Sequence, residues 1–290
     1  MSRPLRKAWR LRHTAMLALL FGVGAWFHRA ALLDIITIGI GNKEQSHIVL
    51  APLIAAWLFW LRRSRLRSLR IAPSLWGPAF ILVGWLMSWL GLRTDTQVAW
   101  HGGALITLFG GMVSLTGLAP VRQFAPAFLA MLFLIPVPGL VRQAIAVPLQ
   151  AMATGVVYML LELFGVSVTR LGHVLMINGE QIAVGEACNG MRMVFALGLV
   201  VYAFAFSTAL RPVTQVLLLA LSPITALFVN VIRLVPTSLF FGYGSVEQAR
   251  TFHDLSGWVM LPVALLILIG VLRLFRWIEL PVTSFRLVAQ

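Results

Sequence analysis

Cysteine is almost absent from this chain: Cys188 is the single one among 290 residues. One thiol excludes an internal disulfide framework and any multi-cysteine metal site, and leaves either a small core residue or a reactive group. Acids are scarce as well, nine against 23 Lys and Arg, and charged residues of both signs make up 11% of the chain. So few charges exclude the surface of an ordinary soluble globular domain. There is no glycine-rich phosphate loop or dinucleotide fingerprint, and no internal repeat, low-complexity linker or second domain. His13, His28, His101 and His173 lack mutual metal-ligand spacing, so neither a metal site nor a cofactor is predicted.

What the chain has instead is apolar length. Hydrophobic residues make up 60% of it and mean hydropathy is +0.91. Runs of about 18 to 20 apolar residues recur, as a hydrocarbon core of about 30 Å demands of a crossing helix. In lipid the backbone satisfies its hydrogen bonds inside helices or closed barrels. The expected fold is therefore an all-α polytopic membrane protein of about eight spans, at 14–33, 48–61, 74–92, 102–119, 124–139, 190–209, 213–233 and 256–275. It is read as one domain over 1–290: a basic N-terminus to about 13, a core over about 14–275 and a tail over 276–290. The first run lacks an A-x-A cleavage site and is taken as a retained span.

The formal charge of +14 raises nucleic acid as a partner, but the basic residues follow the loops of one side. With eight spans that side holds 15 of the 23 basic residues and one acid, Glu279; the other side takes the remaining eight of each sign and is neutral. The positive side is cytoplasmic, which predicts a bacterial inner-membrane protein with both termini inside and no nucleic-acid partner. Segment 140–164 carries Arg142, Gln143, Gln150 and Glu162. As a ninth span it would carry the Arg273/Arg276 end outside, so an extracytoplasmic interfacial or re-entrant helix is expected. Residues 165–190 hold short β-type runs around Asn178-Gly179, the signature of a short β-hairpin before Cys188.

Three features fall on the outward face. Cys188, in "VGEACNGMRMVFAL", follows Glu186, precedes Asn189 and stands at the start of the sixth span; a helix N-terminus favours thiolate. The alternative is a small buried side chain. Arg192, one turn on, is a candidate partner of the thiolate or of Glu186. Asn230 and Arg233, in "FVNVIRLVP", share one helical face near the end of the seventh span, and an arginine in an apolar helix points to a site unless it snorkels. His253 and Asp254 stand just before the eighth span, and imidazole beside a thiol supplies the base of cysteine hydrolases and transferases. His47 heads the second span and either lines a substrate path or caps the helix.

These residues resemble the exosortase/archaeosortase family. "EACNGMR" is similar to its E-A-C-S-G-(hydrophobic)-R motif, "NVIR" to N-x-x-R, and "FHDLSGW" to F-H-x-x-x-G-W. "SHIVLAPLIAAWLFWLRR" and "IPVPGLVRQAIAVPLQ" resemble two further family segments. Asn189 departs from the usual serine, and Ile48 from the glycine of S-H-G. The resemblance implies a membrane cysteine transpeptidase with Cys188 as nucleophile and Arg233 and His253 as its catalytic partners. The implied substrates are membrane-anchored proteins with a C-terminal sorting signal of PEP-CTERM type (recognition motif, transmembrane helix, basic tail), with a lipid amine as candidate acceptor. The competing expectation is a transporter or lipid-handling protein in which Arg233, His253 and Glu186 form a polar relay.

Overall fold

A computed structural model describes residues 11–68, 72–183, 191–208 and 210–278. The chain is mostly helical, as its hydropathy demands. The helices are α1 (Leu11–Phe27), α2 (Arg29–Gly41), α3 (His47–Leu61), α4 (Trp76–Arg93), α5 (Gln97–Thr116), α6 (Ala119–Gln123), α7 (Ala125–Met131), α8 (Gly139–Leu163), α9 (Met191–Ser207), α10 (Pro212–Tyr243) and α11 (Val246–Ile278).

Length and composition qualify three of them, α5, α8 and α10, to cross a membrane, and five spans in all if each of two bent pairs counts as one. The count differs from eight for local reasons. The first expected span, 14–33, breaks at His28 into α1 and α2, which meet at 78°; the break seats the His28 imidazole, 8% exposed, beside Ser88 of α4 at 3.4 Å. The expected span 124–139 stops as a helix at Leu134, because Pro136 and Pro138 follow and proline cannot extend the ladder. Segment 140–164, expected in the interface, forms the 25-residue helix α8, one of the three with span length and hydropathy. The last two helices outgrow their predicted limits. α10 has 32 residues, about 48 Å of helix against the roughly 30 Å that a bilayer core requires. α11 begins ten residues before the predicted span and bends by 41° between Gly257 and Val259, where Pro262 clashes with the carbonyl four positions back.

Between α8 and α9 lies a three-stranded antiparallel sheet in the order β1 (Val168–Leu171), β2 (Val174–Ile177), β3 (Glu180–Ala183). Asn178 and Gly179 make the β2–β3 turn with φ of 55° and 82°, the left-handed pair that two-residue hairpins need. The predicted hairpin is thus present, with β1 added through a second turn at Gly172 (φ 63°). Leu175, Ile177 and Ile182 point to one face and bury against Ala153 and Val157 of α8 and Val231 and Leu234 of α10. The extra length of α10 therefore serves as the floor of this sheet.

The closest packing joins α4 to α5. A Cβ added at Gly77, Gly84 or Gly91, seven residues apart on α4, would overlap main-chain atoms of Ser114, Thr107 or Trp100; Gly103 and Gly110 answer from α5. Small residues at such intervals let two helix backbones meet in lipid, where dispersion replaces the hydrophobic effect. Gly84→Leu should accordingly destabilise the protein by about 1–3 kcal/mol or more. Thermal unfolding in detergent checks this, against Gly22→Ala, which meets open space.

Candidate functional site

Arg233 lies in the interior of α10, ten residues before its end, not at the end of a span. It is 6% exposed, so it does not snorkel. Its Nη2 donates to Oδ1 of Asn230 at 2.9 Å, the partner that i, i+3 spacing predicts. Asn230 is fully buried, which fixes the acceptor and with it the guanidinium plane. Thr237 donates its hydroxyl to the Arg233 carbonyl at 2.7 Å.

Across from Arg233 stands Gly257 of α11: a Cβ built there would lie 3.6 Å from Nη1. A Cβ would be in ordinary van der Waals contact there, and a side chain branching beyond it would press on the guanidinium, so the glycine of "FHDLSGW" faces Arg233, a contact that the sequence showed only as a motif letter. His253 is one turn before Gly257, on the same face of α11. It lies inside the helix and not ahead of it, as expected from the span limits, and it is half-buried. Ser256 donates its hydroxyl to the His253 carbonyl at 3.0 Å. The side chain of Asp254, named beside His253, lies outside what is described.

The third wall is α9. Met193 of α9, Val229 of α10 and Met260 of α11 belong to one apolar cluster. Arg233 follows Val229 by one turn on α10, and Gly257 precedes Met260 by about one turn on α11. Arg192, in the first turn of α9, is partly exposed. Cys188, Glu186 and Asn189 lie outside the described residues.

His47, the first residue of α3, is 2% exposed and stacks on Phe195 of α9 at 4.8 Å between centroids and 21° between planes. Phe133 meets its ring edge-on at 6.4 Å. The polar segment ahead of it is tied down: Asn42 accepts from the Glu44 amide (2.9 Å), Gln45 Oε1 accepts from the Val137 amide (2.9 Å), and Glu44 pairs with Arg142 of α8 (3.1 Å). Sequence reasoning missed Glu44, Gln45 and Phe195. The cluster "NKEQSH" between two apolar runs was the available signal, since buried polar groups need partners.

Other buried histidines are used elsewhere. His101 Nε2 lies 2.9 Å from the Asp34 carboxylate, joining α5 to α2. A cavity of about 200 Å³ between α1, α2, α4 and α5 is lined by His28, Trp85, Trp89 and Trp100, with no residue of α10 or α11 among its lining. No group of three or more His, Cys, Asp or Glu suited to a metal occurs among the described residues.

The sequence model of the transmembrane exosortase family matches residues 39–270, well over half of the chain, including α9, α10 and most of α11. The chain belongs to the transmembrane exosortase family. Its apolar helices and this membership make it a multi-pass membrane protein with a sorting-transpeptidase role in general. No curated protein and no solved structure matches the exosortase chain significantly. The matched region begins late in α2 and leaves out α1, so the His28 break lies outside it while Arg233, Gly257 and His253 lie within.

Proposed function

We propose that this exosortase cleaves the C-terminal sorting signal of exported proteins through a Cys188 thioester and passes them to an acceptor, a lipid amine or water, on the extracytoplasmic face of the inner membrane. The observation that carries the proposal is the buried Arg233, oriented by Asn230 and fronted by Gly257, with His253 one turn away. A fixed guanidinium in a water-poor site is worth most where negative charge develops. A substrate anchored by its own helix arrives already concentrated in two dimensions, which supplies proximity.

In the proposed reaction Cys188 Sγ attacks the scissile carbonyl carbon, and Arg233 holds the resulting oxyanion. His253 donates a proton to the departing amine as the C–N bond breaks, leaving the thioester. The acceptor, a lipid amine or water, then gives a proton to His253 and attacks the same carbon, and the C–S bond breaks to return the thiolate. Arg192, Glu186 and Asn189 support the thiolate environment, and His47 lines the approach.

A reporter carrying a PEP-CTERM-type tail tests the chemistry. Quenched reactions should contain a covalent enzyme–reporter adduct at Cys188, seen by mass spectrometry and released by hydroxylamine. A membrane-impermeant maleimide should label Cys188 from the outer side and stop turnover. Cleavage that continues after complete labelling would sink the proposal.

A further inference from the structure

The two edges of the small sheet are not equivalent. The β1 edge is closed by α8: Arg170 donates through Nη2 to the Ala151 carbonyl at 3.3 Å and through Nε to the Gly172 carbonyl at 2.9 Å. Its guanidinium fills the space over Gly155, where an added Cβ would lie 2.8 Å from Nη1.

The β3 edge has no neighbouring strand among the described residues, and Glu180 and Gln181 are exposed. The register assigns its main-chain groups. In a two-residue hairpin the residues flanking the turn exchange both hydrogen bonds, and such pairs alternate along the ladder. Ile177↔Glu180 and Leu175↔Ile182 are therefore the bonded pairs. Gln181 turns its N–H and C=O away from β2. An exposed edge of this kind is a template for another extended chain.

Position gives the edge a use. β1 and β2 contact α8, while β2 and β3 contact α10. Beyond α10 comes α11, which packs closely along it, while α9 touches both α8 and α10. On α10 itself Val231 and Leu234 face the sheet cluster, and Arg233 faces Gly257 of α11. A strand added to β3 thus lies on the Arg233 side. β3 also leads by sequence into Cys188, five residues past Ala183, a covalent reach of at most about 18 Å.

We propose that the outer edge of β3 is the docking strand for the substrate's recognition segment, which pairs with it as an extended fourth strand beside Arg233. The occupant is the stretch of polypeptide just ahead of the substrate's transmembrane helix, so the inference rests on the transpeptidase reading above. Strand addition draws affinity from the main chain and leaves specificity to alternate side chains. It also stretches the scissile peptide so that its carbonyl is accessible to a thiolate.

Gln181→Pro removes the outward N–H and leaves the β2–β3 bonds intact. Inserted in the membrane with unfolding like that of the wild type, it should process the PEP-CTERM-type reporter at least tenfold more slowly. Crosslinking decides the matter even if that variant fails to insert. In a Cys188→Ala background, Gln181→Cys should form disulfides with cysteines placed along the reporter's pre-helix segment in a period of two. Thr169→Cys, in the same row at the closed edge, should form none. Wild-type processing by an inserted Gln181→Pro, or crosslinks absent or without period, overturns the docking strand. Processing that survives Cys188→Ala overturns the transpeptidase reading instead, and the crosslink pattern is read independently of it.

Discussion

Replacing Cys188 with alanine is expected to lower processing of a sorting-signal reporter below detection while the protein remains in the membrane at wild-type abundance. Loss of the nucleophile from a catalytic unit costs up to about 10⁶-fold in kcat where it has been measured in other hydrolases. Cys188→Ser should rescue little, because a hydroxyl is much further from ionisation than a thiol at neutral pH. The structural cost should be small, since a lone thiol contributes to packing only as a small side chain. Membrane abundance and reporter cleavage are read from the same cells, so loss of one without the other separates chemistry from folding. Normal reporter maturation in Cys188→Ala would end the cysteine-transpeptidase mechanism and favour the polar-relay alternative, in which Arg233 and His253 matter and the thiol does not.

Arg233→Ala should lower kcat by about 10²–10³, the range found when one preorganised oxyanion donor is removed. It carries a second, separable cost. Asn230, fully buried, loses one donor, at 2.9 Å, and a buried hydrogen bond of this kind to a charged group is worth about 1.5–3 kcal/mol. Arg233→Lys should not restore the rate, because an ammonium lacks the planar fork that reaches Asn230 and a substrate oxygen together. Gly257→Val tests the same point from the opposite wall: its Cβ reaches contact with Nη1 at 3.6 Å and its branching methyls press on the guanidinium while the Asn230 acceptor stays in place, so it should depress kcat with less effect on unfolding. If Arg233 served stability alone, the folded fraction of Arg233→Ala would turn over at the wild-type rate. Single-turnover kinetics beside thermal unfolding distinguishes the two.

Both predictions depend on residues that stand far apart in the chain, and they differ in how far the sequence alone could reach. Cys188 was legible as a thiol in a polar setting and as part of the family's motif, but its surroundings lie outside the described residues. Arg233 was legible as a costly cation with Asn230 on its face, and the 2.9 Å bond follows from helical spacing. Gly257 was not legible as a contact, because a glycine has no side chain whose chemistry announces a partner. The pairing of His47 with Phe195 was equally hidden, since an aromatic ring in an apolar helix has no periodic signal that names what it stacks on.

The sequence by itself determined what depends on local composition. Its long apolar runs and few charges make it a helical membrane protein, Asn178-Gly179 sets the hairpin turn, and its motifs carry the family. The tertiary structure decided where helices begin, bend and end, and which faces meet. A bilayer specifies a minimum apolar length and no maximum, so α10 runs past it to floor the sheet. α1 and α2 part at His28 because a buried imidazole lies beside Ser88 of another helix. α4 and α5 close backbone to backbone because their glycines coincide. Each of these is a contact between distant residues, and no local pattern along the chain encodes which distant residue it will meet.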